Sequence, residues 1–73
     1  MDEGLMWFDK STKPLADKIT QAAAHHRAKF GCAPTVCYCN QGQLNGEAGQ
    51  EFDGVKVVGA DNVLRWHYWI GVE

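Results

Sequence analysis

Long apolar runs, paired cysteines and catalytic motifs are all missing from this 73-residue sequence. No stretch approaches the roughly 20 apolar residues that a membrane-spanning helix needs, so we expect no insertion into a membrane. Three cysteines are too few, and odd in number, for a disulfide framework. The first residues, MDEGLMW, are acidic where a secretory signal is basic. Together these features predict a protein of the reducing cytoplasm.

The signatures of common enzyme classes are absent as well. The sequence contains no GxSxG nucleophile elbow, no HExxH zinc motif and no EF-hand loop. Four glycines fall between Gln41 and Gly54, but no helical pattern follows them, so they lack the context of a phosphate-binding loop. We therefore expect a non-catalytic protein that uses no cofactor.

A strongly basic surface is also lacking. The net charge is −2, and only two of the basic residues are arginines, Arg27 and Arg65. Five of the seven lysines and arginines lie between residues 10 and 29, where Asp17 is the one acid. This distribution is typical of a solvated helix face, whereas nucleic-acid-binding domains usually carry a denser basic cluster.

The length predicts one small domain. Ordering a residue costs about 1.5 kcal/mol and apolar burial returns about 25 cal/mol per Å², so domains of this size are marginally stable alone. Disulfides, a structural metal or a partner chain are their usual supports. Because the cysteine count excludes a disulfide framework, the other two supports stay open.

The residues that are present predict a strand followed by a helix. GLMWFD (4–9) is apolar on both faces and predicts a strand. Ser11 or Thr12 is expected as the helix N-cap, with Pro14 in the first turn. Gly31 suits the left-handed residue that ends a helix. Between them runs an apolar stripe of period 3.6, formed by Leu15, Ile19, Ala22, Ala23, His26 and Phe30.

Three further strands complete the predicted fold. TVCYCN (35–40) should run parallel to the first strand, because a helix connects them. VKVVG (55–59) and RWHYWIGV (65–72) most simply pair as an antiparallel hairpin. The predicted class is α+β, a two-layer β-α-β-β-β arrangement with one helix packed on a mixed four-stranded sheet. Segment 41–54 is expected to be a mobile glycine-rich loop anchored by Phe52.

One helix can cover only one face of such a sheet. The first and last strands nevertheless carry large apolar or aromatic residues on both sides, and a bare face of this kind is an association site. Because Lys56 should point to solvent, Val55 and Val57 should point inward, and by analogy Tyr68 and Ile70 do so too. The predicted interface residues are Trp69, His67 and, on the first strand, Trp7 or Phe8.

The stretch FGCAPTVCYCN holds all three cysteines. On a strand, Cys37 and Cys39 project to one face with Cα atoms about 6.5–7 Å apart, at or beyond the usual limit for a disulfide. Paired zinc-binding cysteines are commonly separated by two to four residues at a turn, whereas CYC has one. We therefore expect small buried side chains and no metal. By count alone, a zinc or thiol site could use His26, Cys32, Cys37 and Cys39.

The segments MWFD, PLADKI, KFGCAPTVCYCN and HYWIGVE give the chain a resemblance to small bacterial α+β proteins of unknown function. Those proteins are similar in having a short tryptophan-bearing first strand, one helix that ends in an aromatic-glycine pair, and an aromatic WIG end. The resemblance spans most of the chain and implies the fold without implying an activity.

Three functional hypotheses follow. The preferred one is a non-catalytic interaction module that associates with itself, or with another protein, through an aromatic sheet face. The second is a nucleic-acid-binding module, in which sheet aromatics stack on bases and basic helix residues contact phosphates. The third is the small zinc or thiol protein that the cysteines and His26 could form.

Overall fold

The computed structural model describes residues 4–44, 46 and 48–73 and shows one helix packed on a mixed sheet. The predicted α+β class is confirmed, although the sheet has five strands and the prediction had four. The additional strand, Glu51–Phe52, is two residues long and lies inside the segment predicted to be a loop. The elements in chain order are β1 (Gly4–Phe8), α1 (Leu15–Phe30), β2 (Val36–Asn40), β3 (Glu51–Phe52), β4 (Val55–Ala60) and β5 (His67–Gly71).

The strand order across the sheet is β1-β5-β2-β4-β3. β1 and β2 run in the same direction, as predicted, but β5 lies between them and is antiparallel to both. The predicted hairpin of β4 and β5 is wrong, since β2 separates these strands and pairs in parallel with β4. The connection formed by residues 61–66 is long enough to pass from β4 across β2 to β5, a distance of roughly 10 Å or two strand spacings. In this position β5 has a hydrogen-bonded neighbour on each side.

The helix ends as predicted and begins differently. Gly31 has a φ of 76°, and its amide donates to the Arg27 carbonyl at 2.8 Å, as in a left-handed helix end. Pro14 itself is the N-cap, and no side chain caps α1. The predicted cap at Ser11 or Thr12 is wrong because the helix begins only after Pro14, and the Ser11 hydroxyl accepts a hydrogen bond of 3.4 Å from the Lys13 amide in a turn before the helix.

The hydrophobic core lies between α1 and one face of the sheet. The helix contributes Ile19, Ala22 and Ala23, and the two alanines allow the backbone of α1 to approach the strands closely. The sheet contributes Cys37, Cys39, Val55, Val57, Tyr68 and Ile70. Among the residues described, no helix has both the length and the apolarity needed to cross a bilayer.

The described part of segment 41–54 is partly ordered by contacts with the core and with β4. Gln41–Gln43 form one 3₁₀ turn, and Leu44 packs against the core cluster. The Gly49 amide donates to the Val57 carbonyl, and the Val57 amide donates to the Gln50 carbonyl, both at 2.9 Å. The mobility of the segment stays a prediction.

Candidate functional site

The face of the sheet opposite α1 carries apolar and aromatic side chains. Side chains alternate along a strand, so the burial of Cys37, Cys39, Tyr68 and Ile70 beneath α1 directs their neighbours to the other side. We call this surface the open face. It is formed by Met6, Phe8, Tyr38, Val58, His67 and Trp69.

Four of these residues form one row across the sheet. Met6 of β1 is the register partner of Trp69 on β5, Trp69 is the partner of Tyr38 on β2, and Tyr38 is the partner of Val58 on β4. With neighbouring strands about 4.8 Å apart, the row extends roughly 14 Å. Cross-strand pairs on the same face contact one another, so the row is a continuous apolar strip.

The open face is accessible to solvent. Phe8 is 57% exposed, Met6 49% and Trp69 39%, values that are high for large apolar side chains on a sheet. Phe8 also contacts the His67 ring, with the ring centroids 5.0 Å apart. His67 Nδ1 lies 3.0 Å from the Arg65 carbonyl, which fixes this imidazole at the end of the face.

A groove of about 280 Å³ lies beside the row. Tyr38, Val58 and Trp69 line it on the sheet, and Asn62 and Val63 line it from the connection between β4 and β5. A hydrogen bond of 2.8 Å from Asn40 Nδ2 to the Val63 carbonyl holds this connection against β2. The open face therefore has both projecting side chains, at β1, and a recess, near β4.

Charged residues border the open face. Glu51 and Lys56 are register partners at the β3–β4 edge, so their opposite charges lie next to each other. Val36 has the alternation of the open face but is buried, and its register partners are Lys56 and Gly71. Near it, the Glu73 amide donates to the Thr35 hydroxyl at 2.9 Å.

The structure places three of the four predicted interface residues on the open face. Phe8, His67 and Trp69 belong to it, whereas Trp7 lies on the side that α1 covers. The Trp7 ring contacts His25 of the helix in a tilted arrangement, with a centroid separation of 4.3 Å, and the register partner of Trp7 is the buried Tyr68. Of the two alternatives offered for the first strand, Phe8 is therefore the residue that faces outward.

Met6, Tyr38 and Val58 were not among the predicted interface residues. Their positions follow from the same alternation once one face is known, because Tyr38 lies between the two cysteines and Met6 lies two residues before Phe8. The inward sides of β4 and β5 were predicted correctly, since Val55, Val57, Tyr68 and Ile70 are in the core. The missing information concerned β1, whose sequence is apolar on both sides, and β2.

The four residues considered for a zinc or thiol site occupy different environments. Cys37 and Cys39 are fully buried in the core, whereas Cys32 is exposed after the helix. His26 Nδ1 lies 3.1 Å from the Cys32 carbonyl, a backbone contact that does not involve the thiol. Within the described ranges, no three His, Cys, Asp or Glu side chains are grouped so that they could hold a metal ion.

Burial also changes the chemistry of Cys37. The apolar surroundings and, to a smaller extent, the neighbouring Cys39 raise the pKa of the Cys37 thiol far above its ordinary value of 9.0. The thiolate is the nucleophile in cysteine catalysis, so this environment suits a packed side chain and disfavours a reactive one.

No protein-family model matches this sequence, and comparisons with curated proteins and with solved structures gave no significant match. The comparisons assign neither a family nor an activity. Functional inference therefore depends on the geometry of the open face and on the chemistry of the remaining described residues.

Proposed function

We propose that the protein is a non-catalytic interaction module that associates with a second copy of itself through the open face. The observation that supports this proposal is the row Met6–Trp69–Tyr38–Val58, an apolar strip on the side of the sheet opposite the single helix. Aromatic residues and methionine are enriched in protein interfaces, and buried tryptophan and tyrosine dominate their binding energy.

The charges around the open face favour a second copy over a strongly charged partner. Glu51 and Lys56 offset each other at one edge, and the Glu73 carboxylate accepts a hydrogen bond of 3.5 Å from the Tyr38 hydroxyl, so the open face is bordered by charges of both signs. An apolar surface with charges of both signs around it is compatible with an identical surface. A domain of 73 residues also gains from burying more apolar area than its own chain can cover.

The shape of the open face suits a two-fold arrangement. Met6 and Phe8 project at the β1 side of Trp69, and the groove lies at its β4 side. In a two-fold dimer each copy presents the same surface, so the projecting side chains of one copy meet the groove of the other. Trp69 lies at the centre of this arrangement, where the largest contribution to the binding energy is expected.

The nucleic-acid alternative has weaker geometric support. It needs exposed aromatics and basic helix residues on one surface, because stacked bases and their phosphates belong to the same strand. The aromatics of the open face and the lysines of α1 lie on opposite sides of the sheet. This separation favours the protein interface as the function of the open face.

Sedimentation equilibrium of the wild type and two lysine variants tests the proposal. Trp69→Lys places a charge at the centre of the open face, whereas Leu64→Lys places the same charge on a residue that is 72% exposed in the β4–β5 connection. We expect the wild type and Leu64→Lys to dimerise, and we expect Trp69→Lys to sediment as the 8.1 kDa monomer with an unchanged circular dichroism spectrum.

Two results would contradict the proposal. The first is a wild type that stays monomeric at the highest soluble concentration. The second is a dimer that Trp69→Lys leaves intact, since this result would assign association to another surface. Salt-dependent binding of a single-stranded oligonucleotide that Trp69→Lys abolishes would favour the nucleic-acid module instead.

A further inference from the structure

A second recess, which we call the cationic cleft, lies on the helix side of the sheet, away from the open face. Its volume is about 280 Å³, and it is bounded by the start of α1, the 3₁₀ turn after β2 and the residues before β5. Three cations and two aromatic rings dominate its lining, together with the side chain of Gln43. They are Lys13, Lys18, Arg65, Trp66 and Tyr68.

Lys18 is the most informative residue of the cationic cleft because it is only 5% exposed. Its ammonium group has one hydrogen bond, a long one of 3.5 Å to the Asp9 carbonyl. It also lies 5.1 Å from the centroid of the Trp66 ring and 5.8 Å from that of Tyr68. Cation–π contacts offset part of the cost of burying a charge, but an ammonium group carries three donors and is stabilised best by an anion.

Asp9, a carboxylate that acts on Lys18 through space, is already engaged. Hydrogen bonding by the Ser11 hydroxyl and then by the Ser11 amide, which lies 2.8 Å from Asp9 Oδ1, lowers the pKa of the Asp9 carboxyl, and Lys18 and Lys13 lower it further through space. Asp9 is not among the residues that line the cleft, and no carboxylate belongs to the described lining. The described lining therefore combines three positive charges with no negative one, and Asp9 acts on Lys18 and Lys13 from outside it.

The walls of the cleft are held in place by specific contacts. The Gln43 side chain accepts a hydrogen bond from the Trp66 amide and donates to the Tyr68 hydroxyl at 3.2 Å. The Trp66 carbonyl accepts from the Asp9 amide at 2.9 Å. These contacts hold Trp66 at a φ of 68°, a left-handed conformation that is rare for a bulky residue.

The start of α1 adds to the positive potential. The helix begins at Leu15, which also lines the cleft, and no side chain caps it. The first amides of a helix have no intrahelical acceptor, and the helix dipole places a partial positive charge there. Phosphate groups bind well in such positions, particularly beside lysine and arginine.

We propose that the cationic cleft binds a small phosphomonoester. The two negative charges of its phosphate group would be shared among Lys13, Lys18 and Arg65. Its organic part would lie against Trp66. Lys13 and Arg65 are exposed and long enough to close over the ligand, whereas Lys18 is fixed at the base. A recess of this volume, slightly below the range of typical ligand pockets, suits a small molecule and not a polymer.

The test is a titration followed by heteronuclear NMR, with inorganic phosphate and phenyl phosphate as probes. We expect saturable shifts at the Leu15 and Ala16 amides and at the Trp66 indole, with phenyl phosphate binding more tightly than phosphate. Lys18→Met keeps the apolar stem and should weaken binding at least about tenfold, the loss of one charge-assisted contact. Arg65→Gln, at an exposed position, provides a second variant whose folding is not in question.

Lys56→Gln is the matched control, because it removes the same charge from an exposed site on the other side of the sheet. It should leave the affinity for phenyl phosphate unchanged. The proposal is overturned if neither probe gives a saturable shift even at probe concentrations well above about 1 mM. It is also overturned if Lys56→Gln weakens binding as much as Arg65→Gln does. Tighter binding of a thymidine oligonucleotide than of phenyl phosphate at these residues would also overturn it, in favour of a polymer ligand. Because Trp69→Lys leaves the cleft intact, failure of the dimer and failure of this site can be distinguished.

Discussion

Trp69 of β5 and Tyr38 of β2 are register partners on the face of the sheet that α1 leaves uncovered. The Trp69 ring is partly exposed, and both Trp69 and Tyr38 line the groove that lies toward β4. Aromatic cross-strand pairs stabilise a sheet by about 0.2–1 kcal/mol, and the same rings can anchor a partner. The open face thus contributes to the stability of the fold and forms the surface proposed for association.

Removing a core side chain should destabilise the fold far more than removing an exposed one. Ile70 is fully buried on β5, so Ile70→Ala leaves a cavity and is expected to lower the free energy of unfolding by about 2–5 kcal/mol. Leu64→Ala, at a position that is 72% exposed, should change it by less than about 0.5 kcal/mol. Urea unfolding followed by circular dichroism measures both, and equal effects would contradict the described core.

The three cysteines should differ in reactivity in the folded protein. Cys32 is exposed, whereas Cys37 and Cys39 are fully buried. At neutral pH, Ellman's reagent should titrate one thiol per chain rapidly, and the other two only after unfolding in denaturant. The Cys32→Ser variant should lose the rapid phase. Rapid titration of all three thiols in the folded wild type would refute this placement.

Stability should fall at alkaline pH. Burial raises the pKa of Cys37 above its ordinary value of 9.0, and it also raises the pKa of Tyr68 above 10.0. Above these values the unfolded chain releases protons that the folded chain retains, so the unfolded state becomes more favoured as pH rises. Below pH 9.0 the titration of these groups costs the folded protein no stability, and the free energy of unfolding falls as pH rises above 9.0.

Urea midpoints measured from neutral pH upward give the slope of this loss. Cys37→Ala removes one of the two groups, so its stability should decline less steeply with pH than that of the wild type. The comparison concerns the slope alone, because the substitution also lowers stability at every pH by creating a small cavity. Identical slopes would show that the Cys37 thiol does not contribute.

Local sequence signals predicted the helix well, because they act within the element they define. The apolar stripe from Leu15 to Phe30 and the glycine after it correspond to the observed bounds of α1. The start was less accurate, since the Ser11 hydroxyl, expected as one of two possible caps, accepts from the Lys13 amide in a turn before the helix. Side-chain competition of this kind depends on a turn geometry that residue types alone do not specify.

The order of the strands was harder to predict than their existence. β5 lies between β1 and β2 because its two edges can pair at once with both, and this choice depends on contacts far apart in the sequence. A hairpin with β4 satisfies the same local pattern. The two-residue β3 was missed because Glu51 and Phe52 are too short a run to show alternation.

The open face was predicted in principle and only partly in its residues. The count of one helix against one sheet correctly indicated an uncovered side, and Phe8, His67 and Trp69 lie there. Trp7 does not, because β1 is apolar on both sides and its sequence does not show which side meets α1. The cationic cleft was not predicted, since it joins residues of α1 and β5 with residues of three separate connections.

The most direct test of self-association is an isotope-filtered NMR experiment on a mixture of labelled and unlabelled protein. The account predicts intermolecular contacts from the Trp69 indole to the Met6 and Phe8 side chains of the second copy. A mixture that sediments as a single 8.1 kDa species, with no intermolecular contact to Trp69 at the highest soluble concentration, would contradict it.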